Sequence, residues 1–182
     1  MGRNVKGSIF IDVVKTIKKD KSGVYDNYLT LEEWKILSQQ IMPSTWYPYE
    51  TYKNCLKAIF EIIAKNDFKV AKEWGRTSCQ NIMPSIYSSV LKNCSPLSFL
   101  KKFETVYRNY YDFGNTEIVE KGETQAVYKL SEFDAQFTVI HYTIRGWLER
   151  GLELCGAKNV KSEFVTKSWE GQPFTSIRFT WT

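Results

Sequence analysis

Histidine is almost missing from this chain of 182 residues, in which His141 is the only one. A catalytic triad needs a base beside its nucleophile, and multi-histidine metal sites need several imidazoles. The sequence also lacks the GxSxG, GxGxxG and GxxxxGK[ST] patterns of nucleophile elbows and glycine-rich phosphate loops. These absences argue against an enzyme, and we predict no catalytic residues, no metal site and no cofactor.

Closely spaced cysteine pairs and long apolar runs are also missing. The four cysteines, at positions 55, 79, 94 and 155, form no CxxC pair, which argues against a zinc site or a small disulfide scaffold. We therefore expect reduced thiols in a cytoplasmic protein. No apolar run approaches the roughly 18 residues of a membrane-spanning helix, and no cleavage site follows the basic start. We expect neither a membrane span nor secretion.

Charge and aromatic content indicate the kind of ligand. The 25 basic and 20 acidic residues are intermixed along the chain, so the net charge of +5 forms no stripe of the kind that nucleic acids bind. No nucleic-acid partner is expected. The chain is instead rich in aromatic residues, with 6 Trp, 11 Tyr and 11 Phe. Such rings fill cores and also line pockets for small molecules.

Apolar periodicity predicts helices throughout the first 110 residues. Thr30 and Glu33 form the pattern of a capping box, and Pro84 should kink or divide one long helix. The five predicted helical segments cover about residues 7–19, 30–40, 48–63, 68–92 and 95–110.

The pattern changes to alternation after residue 115. Residues 116–121 and 124–130 predict one β-hairpin, and residues 161–169 and 174–181 predict a second. Between them we expect a long helix that begins at Asp134 as N-cap and ends before Gly156. Two hairpins joined by such a helix predict one α+β domain over residues 1–182, with a four-stranded antiparallel sheet packed against helices.

The long helix carries the candidate site. His141 lies at the border of its apolar stripe, where a structural histidine with a hydrogen-bonded ring is as good an explanation as a binding residue. Arg145 follows one turn later. Its side chain either pairs with Glu149 or, beside a pocket, offers a fork to a carboxylate or phosphate. The sequence leaves both alternatives open for each residue.

Six segments of the chain resemble an uncharacterised family from myxobacteria and related deltaproteobacteria. That family is similar to a wider group of α+β domains: the heme nitric-oxide/oxygen-binding (H-NOX) domains, the vinyl-reductase-like ligand-binding domains and the TRAPP vesicle-tethering subunits. The resemblance implies helices packed on a four-stranded antiparallel sheet. The segments are VKGSIF (5–10), WYP (46–48), YYDFG (110–114), GWLER (146–150), LCGAKNV (154–160) and FTW (179–181).

The H-NOX resemblance gives the lone histidine a specific comparison. H-NOX domains hold heme propionates with a Tyr-x-Ser-x-Arg motif, which His141, Thr143 and Arg145 match in altered form. Where those domains carry the axial histidine, this chain has SFLKKFETVYRNYYDFG. Tyr107, Tyr110 or Tyr111 is chemically able to ligate iron, but no ordinary axial ligand is present, and the resemblance implies a domain without heme.

Two functions follow as expectations. The first is a noncatalytic sensory domain that binds an apolar or amphipathic small molecule and signals to a partner protein. The second is a protein-interaction or dimerisation module with a filled cavity, like the TRAPP subunits. For the first function we expect ligand-binding residues at Arg145, His141, Thr143, Tyr111, Tyr107 and Trp74.

Overall fold

A computed structural model describes residues 2–84, 88–92 and 94–182. Within these residues the chain forms seven α-helices, two short 3-10 turns and six β-strands. They group into two compact units, each of which draws on two stretches of chain. Unit 1 comprises Met1–Asp67 and Arg108–Phe113, and unit 2 comprises Phe68–Tyr107 and Gly114–Thr182.

Unit 1 is built from three helices and a small sheet. Thr30 accepts a hydrogen bond from the Glu33 amide while the Glu33 carboxylate accepts one from the Thr30 amide, so the predicted capping box is confirmed. A 3-10 turn at Val24–Asn27 leads into that helix. The elements are β1 (Asn4–Lys6), α1 (Gly7–Lys19), α2 (Leu31–Ser38), β2 (Trp46–Pro48) and α3 (Tyr49–Ile62).

The antiparallel pair of β1 and β2 was not expected from the sequence. Each strand has three residues, too few to show an alternating pattern, and their pairing joins Val5 to Tyr47. Tyr111, from the second stretch of unit 1, adds an isolated bridge to Val5. Two strands of this length have no independent stability, so they depend on the helices around them.

Unit 2 contains the predicted sheet and four helices. Its strands pair antiparallel in the order β3-β4-β6-β5, so both hairpins and the four-stranded α+β architecture are confirmed. The helices are α4 (Phe68–Ile82), α5 (Ser88–Leu91), α6 (Pro96–Arg108) and α7 (Thr138–Leu154). The strands are β3 (Asn115–Lys121), β4 (Gln125–Ser131), β5 (Lys161–Thr166) and β6 (Phe174–Thr180). A 3-10 turn, Ser168–Glu170, connects β5 to β6.

Strand register sorts the sheet into two faces. Tyr128 pairs with Ile177, which pairs with Phe164, and all three side chains lie on the face that α6 and α7 cover. On the other face Lys129 pairs with Glu117 and Arg178 pairs with Glu163. The alternation of apolar and charged residues thus identifies the buried face.

Two helix boundaries differ from the sequence prediction. The helix expected over residues 68–92 ends at Ile82, before Pro84, and a separate turn forms at α5; residues 85–87 of that expected helix lie outside the described residues. The long helix begins at Thr138 instead of after Asp134. The Asp134 carboxylate accepts the Gln136 amide at 2.9 Å, which stabilises a turn before the helix. At the other end, Gly156 has φ +95°, as expected of the glycine after a helix C-cap.

The expectation of reduced thiols is wrong for two of the four cysteines. Cys94 and Cys155 form a disulfide, with Cα atoms 5.2 Å apart and a sequence separation of 61. Sequence spacing gave no sign of this pair, because the connection depends on α6 and α7 packing side by side. Cys55 and Cys79 are free and buried.

Helices α4 and α7 approach so closely that two glycines meet the opposite backbone. A Cβ atom on Gly75 would lie 1.9 Å from the Thr143 carbonyl oxygen, and one on Gly146 would lie 1.9 Å from the Lys72 carbonyl oxygen. Any larger residue must push the helices apart. The glycines of α7, which weaken an isolated helix, therefore serve its packing.

Candidate functional site

Four half-buried aromatic side chains form a continuous surface in unit 2, which we call the aromatic surface. Phe68 stacks on Tyr142 with centroids 4.4 Å apart, Tyr142 meets Phe164 at 5.0 Å, and Phe164 meets Trp169 at 5.1 Å. The rings come from α4, α7, β5 and the turn after β5. Each ring is half-buried. Such a surface offers apolar area and edge-to-face contacts to a partner.

Arg145 lies at the border of this surface. Its guanidinium carbon is 5.2 Å from the centroid of Phe164, and the side chain is 20% exposed. Nε donates to the Ser162 hydroxyl and Nη2 to the Ser162 carbonyl, both at 2.5 Å. Among the described residues Nη1 has no hydrogen-bond partner. One N–H edge of the guanidinium therefore stays available next to the rings.

His141 lies beneath the surface and is closed off by protein. The residue is 1% exposed, and its ring is 5.0 Å from Trp169 and 5.8 Å from Phe133. Burial lowers the pKa of His141 to about 4, although a hydrogen bond to the Asp134 backbone acts in the opposite direction. Nε2 is buried and has no partner within the part of the chain that the structure describes. Nδ1 is thus the nitrogen that donates to the Asp134 carbonyl, and the imidazole is neutral at pH 7.

Glu149 organises a charged cluster on the other side of Arg145. Its side chain is 5% exposed and has Lys72 at 2.8 Å, Arg76 at 3.3 Å and Arg145 at 3.6 Å, while the Ser162 hydroxyl also donates to it. Three cations around one buried carboxylate satisfy its acceptor capacity and hold α4, α7 and β5 together. Arg145 therefore belongs to this cluster as well as to the aromatic surface.

A second carboxylate extends the cluster toward the end of α7. Both carboxylate oxygens of Glu153 accept from Nη2 of Arg76, each at 3.0 Å, and Oε2 also accepts from Arg150 at 2.6 Å. Burial raises the pKa of Glu153, but the bonds from the two arginines outweigh it, and the net shift is downward. This carboxylate is ionised at neutral pH and crosslinks α4 to α7.

The remaining predicted site residues lie on several elements of the fold. Thr143 donates to the Val139 carbonyl at 3.0 Å, and its own carbonyl lies against Gly75, so it is on the α4 side of α7. Trp74 is half-buried on α4. Tyr107 is 1% exposed on α6, in a buried group with Phe103 that lies 6.5 Å away.

Tyr111 belongs to unit 1 and is buried there. Its hydroxyl makes a hydrogen bond with Tyr52, whose pKa burial raises to about 12. Its ring lies 5.8 Å from Phe113. Of the six predicted site residues, His141 lies beneath the aromatic surface and Arg145 at its border. Phe68 is on α4, while Phe164 and Trp169 follow α7 on β5 and in the next turn, and no sequence pattern marked the four rings as one surface.

The described residues contain neither a cluster of metal ligands nor a membrane-spanning helix. No group of three or more His, Cys, Asp or Glu side chains there could hold a metal ion. None of the helices in that part of the chain has the length and apolar character needed to cross a bilayer.

Comparison with known proteins gives a fold but no sequence family. No protein-family model matches the sequence, and no curated protein matches it. Solved structures of H-NOX proteins do match. The H-NOX protein of K. algicida is 15% identical, with 97% of this chain and 96% of that chain covered and a TM-score of 0.63.

Two further structures agree. An H-NOX variant of T. tengcongensis is 14% identical, covers 97% of both chains and has a TM-score of 0.65. An H-NOX protein of S. oneidensis, in its Fe(II)NO state, is 12% identical, covers 97% of this chain and 99% of its own, and also scores 0.65. The chain therefore has a distant structural likeness to H-NOX domains, as the sequence resemblance indicated. At such low identity the likeness shows the fold alone.

The residues present do not fit a histidine-ligated heme. The buried, partnerless Nε2 of His141, with Nδ1 bound to a carbonyl, is the tautomer that a metal ligand uses. However, iron needs about 2 Å of clear approach to that nitrogen, and His141 is enclosed by Phe133, Trp169 and the rest of unit 2. Seating a porphyrin there requires the aromatic packing to open.

Proposed function

We propose that this chain is a noncatalytic ligand-sensing domain that binds an apolar or amphipathic small molecule without histidine-ligated heme. The observation that carries the proposal is the aromatic surface with Arg145 at its border. Apolar rings and one cation side by side match a molecule with an apolar body and a carboxylate or phosphate end. The likeness to H-NOX domains supports a sensory role, since the related structures are described as binding NO and oxygen.

Arg145 is the residue we assign to the anionic end. Its Nη1 can donate to a ligand while Nε and Nη2 keep their bonds to Ser162. The ligand then needs no rearrangement of the charged cluster to bind. Glu149 at 3.6 Å offsets part of the positive charge, so the apolar contact with the rings has to supply much of the affinity.

His141 has a supporting role in this proposal. Its ring contacts Trp169 from below, and the Asp134 carbonyl fixes the ring orientation. Thr143, Trp74, Tyr107 and Tyr111, which the sequence also predicted as ligand contacts, are not part of the site proposed at the aromatic surface. A signal requires the ligand to bind two states of the domain with different affinity. The turn that carries Trp169, between β5 and β6, is where we expect the difference to arise.

The first experiment is native mass spectrometry of freshly purified protein, followed by solvent extraction. We expect a stoichiometric small molecule that is lost on extraction, and an absorption spectrum without a Soret band. The extracted molecule, added back, should raise the thermal midpoint of the stripped protein. A Soret band at one heme per chain contradicts the proposal.

Variants then locate the binding site. Arg145→Ala should abolish the ligand-dependent rise in thermal midpoint, whereas Arg178→Ala should keep it. Arg178 is a matched control because it is also on the sheet, and its salt bridge to Glu163 lies on the opposite face. If both variants lose the rise in thermal midpoint equally, the effect comes from the loss of one positive charge and not from the position of Arg145.

The half-buried rings of the aromatic surface also favour a second function. A protein-interaction or dimerisation module also presents half-buried aromatic side chains, which are enriched at interfaces. Sedimentation of the extracted protein separates the two functions. A monomer that regains its ligand supports sensing, and a dimer without any extractable molecule, broken by Trp169→Ala, supports the interaction module.

A further inference from the structure

The four cysteines fall into two chemically different pairs. Cys55 and Cys79 are fully buried, and burial raises the pKa of each thiol to about 12. Because the thiolate is the reactive form, both are inert at neutral pH. Cys94 and Cys155 form the disulfide between the start of α6 and the end of α7. Only this pair can take part in exchange with other thiols.

The two sulfurs of the disulfide differ in access and electrostatics. Cys94 is half-buried and precedes α6, a helix of thirteen residues. Its Sγ lies 3.6 Å from the Ser98 hydroxyl, which donates to the Ser95 carbonyl at 2.9 Å and can turn toward a thiolate at Cys94, and the positive end of the helix favours negative charge there. Cys155 is 7% exposed and caps the carboxyl end of α7, so access, and not leaving-group charge, makes Cys94 the sulfur that a reductant reaches.

We propose that Cys94–Cys155 is a thiol–disulfide exchange site that a dithiol reductant opens and a disulfide oxidant closes, with Cys94 as the sulfur attacked. A reductant thiolate bonds to Sγ of Cys94, the disulfide bond breaks, and Cys155 leaves with the electron pair and takes the proton of the reductant's second thiol. The reductant's second thiolate then attacks its own mixed disulfide. Cys94 is released as a thiolate that the α6 terminus stabilises, and the reductant ends as a cyclic disulfide. Two electrons pass to the protein.

The packing around the disulfide allows it to open without unfolding unit 2. Phe99 on α6 stacks on Trp147 of α7 at 5.7 Å and fills the space that Gly151 leaves. The Ser95 hydroxyl accepts the Ser98 amide at 3.2 Å and caps α6 independently of the disulfide. Reduction therefore removes the covalent link between Cys94 and Cys155 while both helices remain packed.

The test uses the whole oxidised chain with dithiothreitol as the dithiol, under native conditions. Samples are quenched over time with iodoacetamide and mapped by mass spectrometry. We expect labels on Cys94 and Cys155 only, with Cys94 labelled at least about tenfold faster, and none on Cys55 or Cys79 before denaturant is added. Oxidised dithiothreitol should restore the disulfide after the reductant is removed.

Two results overturn the proposal. The first is a disulfide that resists native dithiothreitol and opens only in denaturant, since that is a purely structural crosslink. The second is labelling of Cys155 as fast as Cys94.

The variant Cys155→Ser adds a check that needs no reductant. Cys94 should form a mixed disulfide with oxidised glutathione in this variant. Adding Ser98→Ala should slow that reaction, whereas adding Ser168→Ala should not.

Discussion

The two halves of α7 differ in what surrounds them. In the first half, His141 and Tyr142 meet half-buried rings from several elements. In the second half, Gly146 touches a neighbouring backbone, Glu149 is surrounded by cations, and Cys155 closes the end covalently. The position of the second half is fixed by several independent contacts, whereas the first half presents half-buried rings that a ligand can contact. Arg145 stands between them, and the proposed site uses this boundary.

The strongest test of the second half is Gly146→Ala. The added Cβ would lie 1.9 Å from the Lys72 carbonyl, so α4 and α7 must separate. We expect a loss of about 3 kcal/mol or more in the free energy of unfolding, measured by urea denaturation. Gly2→Ala, with no atom within 4 Å of the added Cβ, is the control and should change little. A neutral Gly146→Ala means that this interface is not tightly packed.

In the first half, stability should depend on pH through His141. The folded pKa of His141 is about 4 and the ordinary histidine pKa is 6.5, so the unfolded chain binds more protons between these values. His141 thus contributes its full stabilisation above about pH 6.5 and loses about 3 kcal/mol as the pH falls to about 4. His141→Gln should lower stability at pH 7 and flatten this slope. Glu153, whose pKa is lowered, should still contribute its own pH dependence of stability in this variant. The variant therefore separates the contribution of Glu153 from that of His141.

The charged cluster gives a smaller effect. Glu149→Gln removes the charge that Lys72, Arg76 and Arg145 share, and leaves three partly exposed cations without it. Allowing for their solvent screening, we expect about 2 kcal/mol of destabilisation in urea denaturation. Glu32→Gln, which breaks the exposed pair with Lys35, should cost under about 0.5 kcal/mol. Equal costs would show that burial of Glu149 does not matter.

The smallest stability effect and the clearest functional one are expected at the aromatic surface. Phe164→Leu keeps apolar volume on a half-buried ring, so we expect a cost of about 1 kcal/mol or less. The variant should nevertheless lose the thermal stabilisation given by the extracted ligand. Phe174→Leu, on the other face of the sheet beside Lys129, should retain it. Retention in both variants places the ligand elsewhere.

Sequence patterns predicted the larger elements because each has a local cause. Alternation predicted both hairpins, and the capping box of α2 and the glycine after α7 were read correctly. The β1–β2 pair and the disulfide were missed, since neither three-residue strands nor cysteines 61 residues apart leave a local pattern. The aromatic surface was missed for a related reason: four elements separated in sequence each supply one ring.

Because His141 is the only histidine, its ring nitrogens can be followed without assignment by NMR over a pH range. We expect the first half of α7 to hold a closed, neutral histidine beneath the proposed ligand-binding surface. We predict a neutral imidazole protonated on Nδ1 at pH 7, with no titration until about pH 4. A midpoint near 6.5, or paramagnetic shifts from bound iron in the purified protein, would contradict it.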